Sequence, residues 1–426
     1  MNRKNNLPSF AFLFLGAAIF SALGFGIGRN SGEITPLSID GAADLIGLSF
    51  TPQEKDSMIG TLTTHRTNFE LMRKTTLDNS VGPALVFNPL PQGFYPSQEQ
   101  AAFDWGLPAK VALPTSDVDL AFMPVHQLAV LIKSRQVTSE RLTQLYLQRI
   151  KTHSDTLECL VTLLEDQALT QARALDKELA AGSSRGWLHG IPQAIKDTAH
   201  ALGFPSTFGS VVLKNAMPSK DSIMTERMKA AGAIVIGKTN MPELGLGSNT
   251  YNDLFGITPN AWDISVSAGG SSGGGAVAVA QRMLPVADGS DFMGSLRNPA
   301  GWNHIFGMRP SQGLVPFGPG ADVWVDQLGT EGPMARSVQD LARLLATQSG
   351  YDPRHPLSDR MLLDVSDLEY TPDHLKDLRI GWLGDLEGHL AMEDGIIEVC
   401  ENSLQSMQQA GANIDRMQLG FDSQAL

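Results

Sequence analysis

The run Ala268-Gly269-Gly270-Ser271-Ser272-Gly273-Gly274-Gly275 constrains the fold more than any other stretch, because five of its eight residues lack a side chain. Glycine lets a backbone turn into φ > 0 and lets other groups approach closely, at an entropic cost that an ordinary surface loop has no reason to bear. A flexible Gly/Ser linker is the alternative. A linker, however, does not run straight into a small-residue apolar helix such as Ala276-Val277-Ala278-Val279-Ala280. Beyond that helix come a short apolar segment, Leu284-Pro285-Val286-Ala287, and a tight polar turn, Asp288-Gly289-Ser290-Asp291, which leads into Gly294-Ser295-Leu296-Arg297. Two serines are thus presented on glycine-containing turns, one ahead of a helix and one after a strand.

A chain of 426 residues with 42% hydrophobic and 18% charged residues can bury a substantial core and is not generally disordered. Its formal charge is −13 and no Lys/Arg run exceeds two residues, which argues against a nucleic-acid partner, since phosphate binding needs clustered cations. The two cysteines, Cys159 and Cys400, stand far apart without metal-ligand spacing, and the nine histidines are scattered with no HExxH pair. No metal or organic cofactor is expected.

Arg3 and Lys4 precede an apolar run from Phe10 to Ile27, closed by Gly28-Arg29-Asn30. This order of basic start and hydrophobic centre reads as a secretory signal or a membrane anchor over residues 1–30, with membrane association through residues 7–28. A buried core helix is the competing reading. Export is the expectation, placing the protein outside the cytoplasm, periplasmic or secreted. Residues 31–120 read as an N-terminal extension. Thr51-Pro52 with Glu54 starts a helix carrying Met58, Leu62 and Phe69, and a Pro-rich wrapping segment follows. From residue 121 the pattern tightens into one α/β domain. Thr138-Ser139-Glu140 opens a helix with Leu142, Tyr146 and Ile150 on one face, and Gly182 stops the next.

Three motifs carry competing chemistry. Gly190-Ile191-Pro192-Gln193-Ala194-Ile195-Lys196-Asp197 is an apolar strand ending in a lysine. A surface lysine is the ordinary outcome, but burial would lower its pKa from about 10.4 and make the neutral amine a competent base. Gly232-Ala233-Ile234-Val235-Ile236-Gly237-Lys238-Thr239 matches the P-loop pattern letter for letter. The context argues against nucleotide binding, because residues 221–231 read as a helix ended by Gly232, and a row of β-branched residues replaces the phosphate cradle. Gly269-Gly270-Ser271-Ser272-Gly273 also fits GxSxG, which would make Ser271 a nucleophile served by His304, His355, His374 or His389. No apolar strand feeds that elbow.

Together, the Lys196 block, the glycine-serine run and the Gly294-Ser295-Leu296-Arg297 turn resemble the amidase signature family. The ordered blocks continue through Gly237-Lys238-Thr239-Asn240, Gly307-Met308-Arg309-Pro310-Ser311 and Gly332-Pro333-Met334-Ala335-Arg336-Ser337. The resemblance implies an α/β fold with a mixed central β-sheet covered by helices on both sides. It also implies a shortened C-terminal part, since the family continues well past the position of Leu426. In the family pattern Ser295 is the acyl-forming nucleophile and Ser271 the bridging serine after a cis peptide bond. Lys196 is the base, with Ser272 and Arg297 in support.

The backbone N–H groups of Phe292, Met293, Gly294 and Ser295 would form the oxyanion hole. The family pattern carries two glycines before the nucleophile, so Met293 is expected to alter the turn or narrow the acyl pocket. The implied activity is hydrolysis of a small acyl or aryl amide through a serine acyl-enzyme. The alternatives are an A-type amidotransferase protein that acts on charged tRNA, and a catalytically impaired remnant.

Overall fold

A computed structural model of the chain describes residues 33–78, 104–318, 328–359, 363–369, 371–376 and 378–418. It divides into two compact units, residues 1–84 and 85–426. The described part of the first unit is a helix pair, α1 (Pro36–Ile46) and α2 (Pro52–Met72). Each helix begins with a capping box and a proline in its first turn, Thr35 with Ser38 and Thr51 with Glu54. Lys55 and Asp40 join them through an ion pair at 2.9 Å. The helix expected from Thr51-Pro52 is present, yet none of its residues is fully buried. Among the described residues no helix is long and apolar enough to cross a membrane. The apolar run at 7–28 lies outside them.

The second unit is built on two three-stranded sheets. In the first, β1 (Leu160–Leu163), β3 (Ile234–Thr239) and β2 (Pro192–Lys196) lie in that order, with β3 antiparallel to β1 and parallel to β2. Every residue of β2 and β3 is buried, as expected for strands covered on both faces. Ala194, Ile234 and Ile236 pack into one hydrophobic cluster, while Ile195 and Val235 pack into another. That alternation is the period of two that a strand imposes. The first cluster is completed by α5 (Ser139–Leu157), α6 (Glu165–Ala180) and α8 (Gly273–Ala280). The second takes in α3 (Asp117–Phe122), α4 (Val125–Lys133), α7 (Ile223–Ala230), α10 (Val338–Gln348) and the other side of α5. Helices therefore cover both faces, and each fully buried Ile, Val or Leu contributes about 1.5–3 kcal/mol by leaving water.

The second sheet has the order β6 (Val286–Asp291), β8 (Thr330–Ala335), β7 (Phe306–Gly307), all antiparallel. Asp288-Gly289-Ser290-Asp291, expected as a turn, makes up the last four of the six residues of β6, paired residue for residue with β8. Its polar side chains stay in a buried strand because they face the charged groups described below. β2 lies beside β6, and there the Lys196 N–H donates to the Asp288 carboxylate (3.1 Å). A short hairpin, β4 (Tyr251–Asn252) with β5 (Gly256–Ile257), and α9 (Arg297–Trp302) flank this centre. At the C-terminal side β9 (Arg379–Trp382), α11 (Ile396–Gln409) and β10 (Asn413–Arg416) form a parallel β-α-β unit.

Local signals held in several places. Thr138 and Ser222 cap α5 and α7 with their hydroxyls. Gly232 ends α7 at φ 98° and leads into β3, so Gly232–Thr239 is a helix stop and a strand and not a phosphate loop. Lys238 points from β3 into a dry site, 3.8 Å from Asp197 Oδ1, and donates to the Ala199 carbonyl. The α4 N-terminus is closed from far along the chain by Asp340, which accepts from the N–H groups of Val125 (2.8 Å) and His126 (2.9 Å). Cys159 and Cys400 are both free.

The glycine run is explained by close approach. α8 is buried along its whole length. A Cβ on Gly274 would fall on the Asn240 amide and the Cys159 carbonyl, neither of which can yield. Overpacking of this kind is expected to make Gly274→Ala less stable by about 3 kcal/mol. Gly301 has open space around it, so Gly301→Ala should be neutral or slightly stabilising. Urea unfolding of both variants tests this, and equal midpoints would contradict the packing argument.

Candidate active site

Lys196 is the last residue of β2, and its side chain is buried between the serine loop and β6. Its Nζ is hydrogen-bonded to Ser271 Oγ (2.8 Å), Ser272 Oγ (2.8 Å) and Ser290 Oγ (2.9 Å). Burial pulls the lysine pKa down to about 7, against the upward pull of Asp288, Asp291 and Glu331. Burial therefore favours the free-base form of this amine far more than water would.

The serine loop is held from several sides. Gly269 has φ 72°, and its carbonyl accepts from Thr250 Oγ1 (2.8 Å). The Gly270–Ser271 peptide bond is cis. Gly270 N donates to Asn298 Oδ1 (3.3 Å), and Ser272 N donates to the Ser295 carbonyl (3.2 Å). The two serine turns are thus tied together through their backbones. Ser272 Oγ also donates to the Ser290 carbonyl at 3.3 Å, linking the N-terminus of α8 to β6.

Ser295 follows β6 and precedes α9. A cavity of about 510 Å³ is lined by Ser271, Ser290 and Ser295 together, with Thr198, His200 and Glu331. Phe208, Leu244, Leu246, Phe292 and Phe317 give it an apolar wall. The structure joins Lys196, Ser271 and Ser272 in one hydrogen-bonded group and sets Ser295 on the wall of the same cavity, with no hydrogen bond between the Ser271 and Ser295 hydroxyls.

The turn from 291 to 296 is built around Asp291, which sequence reasoning passed over as a turn residue. Gly294 N donates to its Oδ1 (2.7 Å) and Leu296 N to its Oδ2 (3.2 Å). Arg297 grips both oxygens (3.0 and 3.1 Å), and Arg309 adds a further bond at 2.9 Å. Burial pushes the Asp291 carboxyl up, but these donors outweigh it and hold the group well below the usual carboxylate range.

Two expectations change here. The Gly294 N–H is already engaged by Asp291, so it is not a free oxyanion donor; its φ of 117° is what the turn requires of this glycine. Met293 is 86% exposed and does not line the cavity, so its side chain does not narrow it; Phe292 is the turn residue on the wall. Arg297 supports the site through Asp291.

Ser290, Asp288 and Glu331 were not singled out from the sequence as site residues. Burial pushes Asp288 up to about 6 and Glu331 up to about 8. The available signal was four polar letters, Asp288 to Asp291, directly after an apolar run. Of the histidines considered for a GxSxG elbow, none lines the cavity, and the residue against Ser271 is a lysine.

The family model for amidases matches residues 141–423. The A-type subunit of glutamyl-tRNA(Gln) amidotransferase from Thermosynechococcus vestitus is 39% identical over 282 residues, covering 66% of this chain and 58% of that protein. Among solved structures, a bacterial aryl acylamidase of the amidase signature enzymes superposes with TM-score 0.64 at 29% identity, over 70% of this chain and 61% of that one. Native peptide amidase from Stenotrophomonas maltophilia gives TM-score 0.63 at 33% identity, over 70% of this chain and 62% of that one. The chain thus spans about three fifths of the length of each of these proteins.

Asp291 orders the turn, so Asp291→Ala should raise amide hydrogen exchange at Gly294 and Leu296 by roughly tenfold or more. Arg297→Ala should change it far less, because Arg297 is half exposed and Arg309 stays in place. Similar exchange in both variants would remove Asp291 from this role.

Proposed function

The chain belongs to the amidase signature family, and on that premise we propose that it hydrolyses a carboxylic amide through an acyl-enzyme on Ser295. The observation that carries this reading is the buried Lys196 amine, within 2.8 Å of Ser271 and Ser272 and sharing a cavity with Ser295. An ammonium has three hydrogens to donate and no lone pair, whereas a neutral amine has two and one acceptor site. In this reading the reactive amine is neutral: its two hydrogens go to Ser272 and Ser290, and its lone pair is left to take the Ser271 proton.

A serine hydroxyl is a weak nucleophile until a base takes its proton. In this reading Lys196 draws the Ser271 proton while Ser271 draws that of Ser295, and Ser295 Oγ attacks the amide carbonyl. The Ser271–Ser295 contact closes when substrate is bound, since catalytic hydrogen bonds tighten in the Michaelis complex. The oxyanion is received by the N–H groups of Phe292, Met293 and Ser295. The relay then returns a proton to the leaving amine, and water repeats the sequence on the ester. The apolar wall favours an acyl or aryl group over a charged one. Asp291, with Arg297, keeps the 292–295 turn in place.

A second reading, an A-type amidotransferase protein, is favoured by the 39% identity to a protein of that name. Such a protein would work with partner subunits. The charge of −13 and the absence of a Lys/Arg run longer than two weigh against a tRNA surface on this chain itself. Export rests on the basic-then-apolar order of residues 3–27 and would also separate the chain from tRNA.

Labelling with a serine-directed phosphonate followed by peptide mapping should find Ser295; modification at Ser271 alone would favour the hydrolase elbow. Lys196→Ala should lower turnover of an anilide by roughly 10²- to 10⁴-fold, and an unchanged rate would sink the relay. Because the free base is the active form, kcat/KM should fall about tenfold per pH unit below pH about 7 and level off above it. A panel that includes glutamine separates the two readings, since only the second expects glutamine to be preferred to anilides.

A further inference from the structure

Two buried carboxyls stand beneath the Lys196 amine and are left over by the relay. In the β6–β8 ladder Asp288 opposes Pro333, while Ser290 opposes Glu331. Residues two apart on a strand share a face, and so do residues directly opposite each other. Asp288, Ser290 and Glu331 therefore project from one face of the sheet, the face that meets Lys196 through Ser290 Oγ (2.9 Å) and through Asp288 Oδ2 (3.1 Å from Lys196 N). Asp288 and Glu331 are diagonal neighbours across the ladder, a separation that long side chains bridge.

Each has one oxygen buried without a hydrogen-bond partner, Asp288 Oδ1 and Glu331 Oε2. Glu331 is only 3% exposed, and Asp288 only 1%. A buried carboxylate oxygen without a donor is costly, and two facing carboxylates add repulsion. The surrounding charges do not remove the difficulty. Lys238, which faces the pair from β3, is already beside Asp197. Asp291, further along β6, is held by Arg297 and Arg309. His200 lines the same cavity from the loop after β2.

We propose that Asp288 and Glu331 form a proton-sharing carboxyl pair, which makes Glu331 a positioning residue that sets the charge on the Lys196 amine. One proton on Glu331 turns an orphaned acceptor into a donor aimed at the orphaned oxygen of Asp288, so a single hydrogen satisfies both. The pair then carries one negative charge, spread over two groups, where two ionised carboxylates would pull a proton onto Lys196. The upward displacement of both carboxyls by burial, with Asp288 raising Glu331 further, agrees with this arrangement. The consequence for catalysis rests on Lys196 being the base; the existence of the pair does not.

Infrared difference spectroscopy of the full chain at pH 7 should show the carbonyl stretch of an un-ionised carboxyl, absent in Glu331→Gln. In Asp288→Asn the same band should titrate away at lower pH, because the neighbouring charge that holds the proton on Glu331 is gone. No band in the wild-type chain, or a band whose midpoint ignores Asp288→Asn, overturns the pair. In the anilide assay, Glu331→Leu should move the acid limb of kcat/KM up by about half a pH unit, roughly threefold in rate on that limb, by leaving the Asp288 charge undivided. Glu331→Gln, which keeps a donor toward Asp288, should restore it. Leu and Gln variants with the same limb would overturn the effect on Lys196. If Lys196→Ala retains full turnover, the relay fails while the infrared result still decides the pair.

Discussion

Everything at this site depends on the removal of one lysine amine from water. Lys196 ends a strand whose every residue is buried, and its Nζ meets three serine hydroxyls within 2.9 Å. Desolvation disfavours the ammonium, and only the residual pull of nearby carboxyls keeps its pKa as high as about 7. The same burial constrains the neighbourhood. Any group near the amine must be a neutral hydroxyl, a carboxyl whose charge is managed, or an apolar wall. Ser271, Ser272 and Ser290 are of the first kind, Asp288 and Glu331 of the second, and Phe208 and Phe317 of the third.

The loops around the lysine are fixed by backbone contacts. Ser272 N reaches the Ser295 carbonyl, Asn298 reaches Gly270, and Thr250 reaches Gly269. Asp291 then organises the following turn by accepting from two amides and two guanidinium groups. Such preorganisation suits chemistry in which charge develops on an oxygen, because donors already in place need no rearrangement as the reaction proceeds. The glycines serve the same end: α8 can sit against Asn240 and Cys159 because Gly274 has no Cβ.

Much of this was legible in the chain. The glycine-serine run, the lysine at the end of an apolar strand and the helix stop at Gly232 are local patterns, and each appears where the letters put it. The family-like order of blocks added the expectation that Ser271 and Ser295 act together, and the two line one cavity. Other features were not legible because their partners lie far away in sequence. Asp288 to Asp291 looks like a turn in isolation, since four polar or small residues rarely continue a buried strand. It becomes a strand because Lys196, 92 residues away, and Thr330 to Pro333 supply what those side chains and amides need. Met293 was expected to alter the turn or narrow the pocket, and it lies on the surface of the turn, 86% exposed. Asp340 closing α4 across 215 residues is a third case.

By itself the sequence determined which chemistry could be assembled: two serines on glycine turns, a lysine in apolar surroundings, and no metal-ligand spacing. Side-chain identity, strand and helix period and the need for glycine are properties of neighbours along the chain, so they can be read in order. The tertiary structure decided which of those groups meet and what charge they carry. It put Ser290, Asp288 and Glu331 under the amine, committed Gly294 to Asp291 and left the Lys196 amine near neutral pH. Protonation and hydrogen-bond partnership are set by burial and by distant strands, and no stretch of residues contains them before the sheets are formed.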